Sequence, residues 1–389
     1  MIIGWILRHC GTPRVGQAFT YVSALIFFII WATLASLISF WTPSAQTSLL
    51  MQVRLLVAIL IMLTLSNTVQ QLRILLWCLV LASGFIAYEL NMSYLAGFNR
   101  LQYVGFAGMD NNFFAVGMVV GTVLSFFTGL SEKNILLKGL AFLFALFQAH
   151  AIMFSMSRGG MLGLCVAACA TFYVLPKTQA NISIFLLAIC VGGYLAGPSV
   201  RERFSSAFTE VDSLDSSAQS RLNAWDACID TIRQKPVFGI GITNWTNYYK
   251  QSSGIYLEAH STWLQTCVEC GIPALLAQLI FFLGLLRKMH QVLCKKLQHP
   301  DPRINIYAQM VFVAIAGYGV SAQFVSLYGL EIIYYTGALG MIILKLIHLH
   351  QIEEEEKERL RMDALAHGWE SEEDEQDYDE QQVGSPQWA

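Results

Sequence analysis

The chain has 389 residues, 55% of them hydrophobic and only 13% charged. Soluble domains carry about twice that charged fraction, and the apolar residues here fall in blocks long enough to cross a bilayer; a soluble enzyme is excluded and an all-α, polytopic integral membrane protein is expected. The net charge of −3 hides an asymmetry: residues 351–389 hold 14 acids and three bases, against 21 bases and 13 acids elsewhere, which predicts a membrane domain over 1–350, an acidic, disordered cytoplasmic tail, and no affinity for nucleic acid.

In chain order, apolar runs predict ten spans: 19–41, 50–66, 74–90, 113–130, 139–156, 160–175, 182–197, 264–286, 306–326 and 331–349. Arg8 and Arg14 precede a first run too long for a cleavable signal peptide. The nine cysteines lie mostly in apolar stretches, where cysteine acts as a small hydrophobe, so no disulfide framework is expected. Lysine and arginine set the orientation. With the N-terminus inside, the cytoplasmic segments receive Arg73, Lys133, Lys138, Lys177, the cluster Arg287, Lys288, Lys295, Lys296 and Arg303, and Lys345. The short outer segments receive only Arg54, Arg100 and Arg158. Both termini are therefore expected in the cytoplasm, with one large outer loop over about 198–263.

The outward-facing polar groups are the candidates for chemistry. Arg158, in "FSMSRGGMLG", stands at a span junction beside two glycines; an arginine there is costly and marks a functional site unless it only snorkels to the interface. Asn111 and Asn112, after Asp110, either hydrogen-bond a sugar or cap the next helix. The loop contains a helix, "SAQSRLNAWDACIDTIRQ", in which Leu222, Trp225, Ile229 and Ile232 recur as an apolar stripe with Arg221 on its edge. "FGIGITNW" follows, its Gly239 and Gly241 permitting tight turns. His260 opens the eighth span, as a cap or as a proton acceptor. Glu269 falls on the far side of that helix, and Cys267 and Cys270 read as packing residues rather than metal ligands.

Taken together, Ser157-Arg158-Gly159, the S-x-x-x-R-L-x-x-W run from Ser217 to Trp225, Gly239-Ile240-Gly241, His260-Ser261 to Leu264 and the following Gly-Ile-Pro at 271–273 have a familiar order. The set resembles the O-antigen ligase and polymerase superfamily over about 50–350, most closely the exosortase-associated O-glycosylation ligases, which share the Asp110-Asn111-Asn112 loop. That resemblance implies about twelve spans and a metal-independent, cofactor-free glycosyltransferase of the bacterial inner membrane with a periplasmic active site. The donor would be a glycan on undecaprenyl diphosphate, and the acceptor a sugar, lipid or protein hydroxyl. It implies Arg158 and Arg221 as diphosphate contacts and His260 as the catalytic histidine. Trp225, Gly239, Gly241, Asn244, Asn111 and Asn112 join them as substrate-binding candidates, and Arg54 is added on sidedness alone. A polymerase using the same donor chemistry stands beside the ligase. A polysaccharide transporter or flippase is the rival of another class; it should carry polar residues deep along several spans, or repeats with broken helices.

Overall fold

A computed structural model describes residues 16–106, 109–179, 181–183, 185–186, 216–327 and 330–366. The described elements are helical: α1 (Ala18–Ser39), α2 (Pro43–Leu65), α3 (Val69–Leu95), the short α4 (Arg100–Tyr103), α5 (Asn111–Ser131), α6 (Ile135–Phe154), α7 (Arg158–Val174), α8 (Ser216–Gln234), α9 (Trp245–Ser253), α10 (Thr262–Leu293), α11 (Pro302–Ser321) and α12 (Glu331–Ala366). Eight of them are long and apolar enough to cross a membrane, and α7 is apolar but shorter. Nine predicted spans thus appear as helices, seven of them longer than the predicted span. The tenth, 182–197, lies largely outside the described residues.

Local sequence sets the helix starts. Thr42, Thr68, Asp110, Asn134, Ser157, Ser261 and Asp301 each accept a hydrogen bond from a backbone N–H of the following first turn, satisfying donors that would otherwise be orphaned. Inside the bundle, packing is by small residues and buried polar links. Gln148 on α6 donates to Ser83 on α3 at 2.9 Å and accepts from Ser125 on α5 at 3.0 Å.

The helices alternate in direction. At one end, Ser39 at the close of α1 donates to Gly239 of the loop, Asn111 at the start of α5 donates to Ser155 after α6, and Thr262 of α10 donates to Val325 beyond α11. The opposite end is basic. There Arg73 clasps Glu132 at 2.6 and 2.8 Å, with Trp77 donating to the same carboxylate, and Lys345, 4% exposed, donates to the Leu63 carbonyl at the C-terminal end of α2, where a cation suits the helix dipole. Val174 belongs to this basic end, since Gln309 of α11 donates to its carbonyl, whereas α8 belongs to the loop end. The two described ends that span 182–197 would join are thus on opposite faces.

Two sequence expectations change. Residues 351–366 continue α12 as helix rather than starting a disordered tail; Lys357 pairs with Glu353 and Glu354 at helical spacing and the residues are good helix formers. On α8, Ala224 and Cys228 pack fully inward with Thr231 also buried, and Ile232 of the predicted stripe packs against them, while Leu222 and Ile229 are 38% and 39% exposed. Small side chains let α8 approach Val268 and Trp245 closely, and that gain outweighs burial of the larger pair.

The charge distribution predicts that the loop end faces out. A cysteine introduced at Ser253 should react with an impermeant maleimide in intact spheroplasts, and one at Gln298 only after lysis. Labelling of Gln298 in intact spheroplasts would reverse the orientation and remove the site from the outer face.

Candidate active site

The site is organised by a break in α10. Proline at 273 has no N–H, so the Glu269 carbonyl four residues earlier loses its intrahelical donor, and Gly271 adopts φ 81°, ψ 172°. Rings that a straight helix would hold about 28 Å apart, Trp263 and Phe282, lie 6.1 Å apart. The nine residues before the break therefore fold back over the membrane-crossing part of the helix.

The loop repairs the break bond by bond. Ile240 N–H donates to the Val268 carbonyl at 3.1 Å, Gly241 N–H to the Glu269 carbonyl at 2.8 Å, and Ile272 N–H is received by the Pro236 carbonyl at 2.8 Å. Trp31 of α1 gives its indole N–H to the Cys270 carbonyl at 3.1 Å. This pairing requires glycine at 239, where φ is +61° and a Cβ would collide with the Val268 carbonyl. Glu269, fully buried, accepts from the N–H groups of Thr243 at 2.6 Å and Trp245 at 3.0 Å, a carboxylate at the N-terminus of α9. Asn244 donates to Phe40 and Ile240 carbonyls at 2.9 and 3.0 Å. Glu269 thus faces the loop, and Gly239, Gly241 and Asn244 are engaged in holding loop, α1 and α10 together.

Upon this scaffold sits His260. Trp225 of α8 donates to the Ala259 carbonyl at 2.8 Å, and Ser261 supplies the N-cap of α10. The histidine is fixed between them in the left-handed region, at φ +47°, and is not itself the cap. Burial first, then the nearby Arg221 guanidinium, lower its pKa to about 4, with Asp110 acting the other way. The imidazole is neutral at physiological pH. Arg221 is half-buried on the inward edge of α8. Asp110, named in the sequence only as a flanking acid, lies within electrostatic reach of both His260 and Glu258. Glu258 had no signal in the sequence beyond its position two residues before the histidine.

Arg158 is the first residue of α7, half-buried behind the Ser157 cap. The glycines after it explain its setting: Cβ atoms at Gly159 and Gly160 would lie 2.9 Å from Phe324 and 2.6 Å from Ala115, so α7 is drawn in against α5 and the loop after α11. Asn111 donates to the Ser155 carbonyl at 2.8 Å and Asn112 to Asn111 at 3.3 Å; the cap itself is Asp110, bonded to Phe113 N–H at 2.7 Å. Arg54 is exposed midway along α2. Cys267 and Cys270 are buried, and among the described residues no group of His, Cys, Asp or Glu is placed to hold a metal ion.

Residues 140–279 match the family model described as O-antigen ligase. The match takes in Arg158, Arg221, His260 and the broken start of α10, and bears out the superfamily resemblance read from the sequence. No curated protein matches the chain.

Proposed function

We propose, from the O-antigen ligase segment that residues 140–279 carry within a multi-pass membrane protein, that the chain transfers a glycan from an undecaprenyl-diphosphate donor to an acceptor hydroxyl at the outer face of the bacterial inner membrane. The observation that carries this reading is the placement of His260, half-buried at the entry to the broken helix, beside Arg221 at the loop end of the bundle. Neutral imidazole accepts the proton of the acceptor hydroxyl as its oxygen attacks the anomeric carbon. The bond from that carbon to the diphosphate breaks, and the negative charge that develops on the leaving group is met by Arg221 and Arg158, whose planar guanidinium groups suit phosphate oxygens. The donor's own charge also helps the base. An anion bound at Arg221 offsets the field that disfavours imidazolium, so His260 becomes a stronger base when the donor is in place. No step in this scheme calls for a metal.

Ligation and polymerisation share every one of these steps and differ in the acceptor. Transport differs in kind. Reconstituted protein supplied with lipid-linked glycan and acceptor should release undecaprenyl diphosphate in equal amount to the glycoside formed. Glycan crossing the bilayer still attached to its lipid, with no diphosphate released, would replace the transferase with a flippase.

A further inference from the structure

On the exposed flank of the bundle, between α10 and α11, lies a crevice of about 330 Å³. Trp263, Phe282, Leu283, Leu286, Ile315 and Gly319 are among its lining residues, and no charged side chain is among them. The fold-back of α10 makes it: Trp263, on the half-helix before the break, donates its indole N–H to the Gly319 carbonyl at 3.2 Å and so links the half-helix to α11. The crevice therefore begins three residues from His260 and runs down beside the crossing part of α10, where Leu283 is 55% exposed.

We infer that this crevice holds the first part of the hydrocarbon chain of the lipid-linked donor, with the anionic head group above it at His260, Arg221 and Arg158. The inference rests on the transferase reading for its head group and on the crevice for its chain. Three features choose this occupant over a bulk phospholipid. The crevice has a wall residue, Trp263, that lies three residues from His260 in the chain. Its charge-free walls suit hydrocarbon, while the half-buried cation Arg221 is placed to receive the phosphate-bearing end of the same molecule. And its wall contains Gly319, where a side chain's Cβ would meet nothing within 4 Å; helix interiors ordinarily disfavour glycine by about 1 kcal/mol relative to alanine, so the space is held open at a cost to the helix.

That open space supplies the test. In Gly319→Leu the added Cβ meets nothing within 4 Å, the rest of the side chain projects into the crevice, and helix propensity improves, so the protein should fold. In full-length protein in nanodiscs, farnesyl diphosphate bearing a diazirine on its chain should mark segments 279–286 and 315–320. The substitution should reduce that labelling at least about tenfold, equivalent to ~1.4 kcal/mol, and leave binding of inorganic diphosphate unchanged. Labelling that survives Gly319→Leu overturns the assignment, as does phosphatidylethanolamine carrying the same diazirine and marking the same segments equally. Loss of inorganic diphosphate binding in the variant also overturns it, because the effect is then general. Wild-type protein labelled along the crevice but unable to bind inorganic diphosphate would sustain the chain site and sink the head-group chemistry instead.

Discussion

His260→Asn protein should fold, bind donor and turn over at least about 10²-fold more slowly than wild type, within the range typical of general-base loss. Asparagine is the stringent replacement. It tolerates the left-handed backbone that His260 occupies at φ +47°, and the capping of α10 is done by Ser261, so neither backbone nor helix start is disturbed. What asparagine lacks is a nitrogen able to take a proton. The pH profile adds an independent check. Because burial and Arg221 hold the free histidine near pKa 4, and the neutral form is the active one, kcat/KM should stay level as pH falls from 7 through 6 and decline only toward 4. The acid limb of kcat, which reports the donor-bound enzyme, should lie higher, since the bound anion offsets the guanidinium. Near wild-type turnover in the asparagine variant would remove His260 from the chemistry, whereas a kcat/KM limb at the ordinary histidine value would show that burial and Arg221 do not hold the free imidazole low.

Arg221→Lys should cost about 10²–10³ in turnover, on the scale of losing one preorganised donor to a developing anion, and Arg158→Lys a similar amount. Charge is conserved in both, so the loss measures geometry: an ammonium is a point charge and cannot present two parallel N–H groups to a phosphate. The alanine variants should abolish transfer, with lipid-linked glycan accumulating in the outer leaflet of the inner membrane. Full activity of either lysine variant would mean that only the electrostatic field matters there. Accumulation in the inner leaflet would point to transport.

The sequence made the spans and the charged candidates readable because both follow from solvent preference: an arginine or histidine at the outer end of a span has to be accounted for one residue at a time. It left the loop's internal logic hidden. Gly239, Gly241 and Asn244 stand out in a motif, but their work is backbone hydrogen bonding to a segment some thirty residues later and to the end of α1, and pairing of that kind leaves no periodicity to find. The stripe on α8 holds at Ile232 but misled at Leu222 and Ile229 for a related reason. Period counting favours large apolar side chains, whereas close contact with Val268 and Trp245 selects Ala224 and Cys228. Arg54, which sidedness alone singles out, is exposed on α2. The proline at 273 was visible as part of a Gly-Ile-Pro motif. That it bends α10 enough to bring Trp263 onto Phe282 depends on which donors stand ready to receive the freed carbonyls.

Those donors have an order. Trp31, Ile240 and Gly241 all precede the carbonyls of Val268, Glu269 and Cys270 that they satisfy, and the ribosome makes them first. When the broken segment emerges, the donors to its freed carbonyls have already been synthesised, so those carbonyls need not wait in hydrocarbon, where each unsatisfied group costs several kcal/mol. A circular permutant in which residues 262–293 were synthesised before α1 would meet that cost at insertion, although its finished contacts would be the same. The direction of translation is thus part of what allows a helix to be broken here.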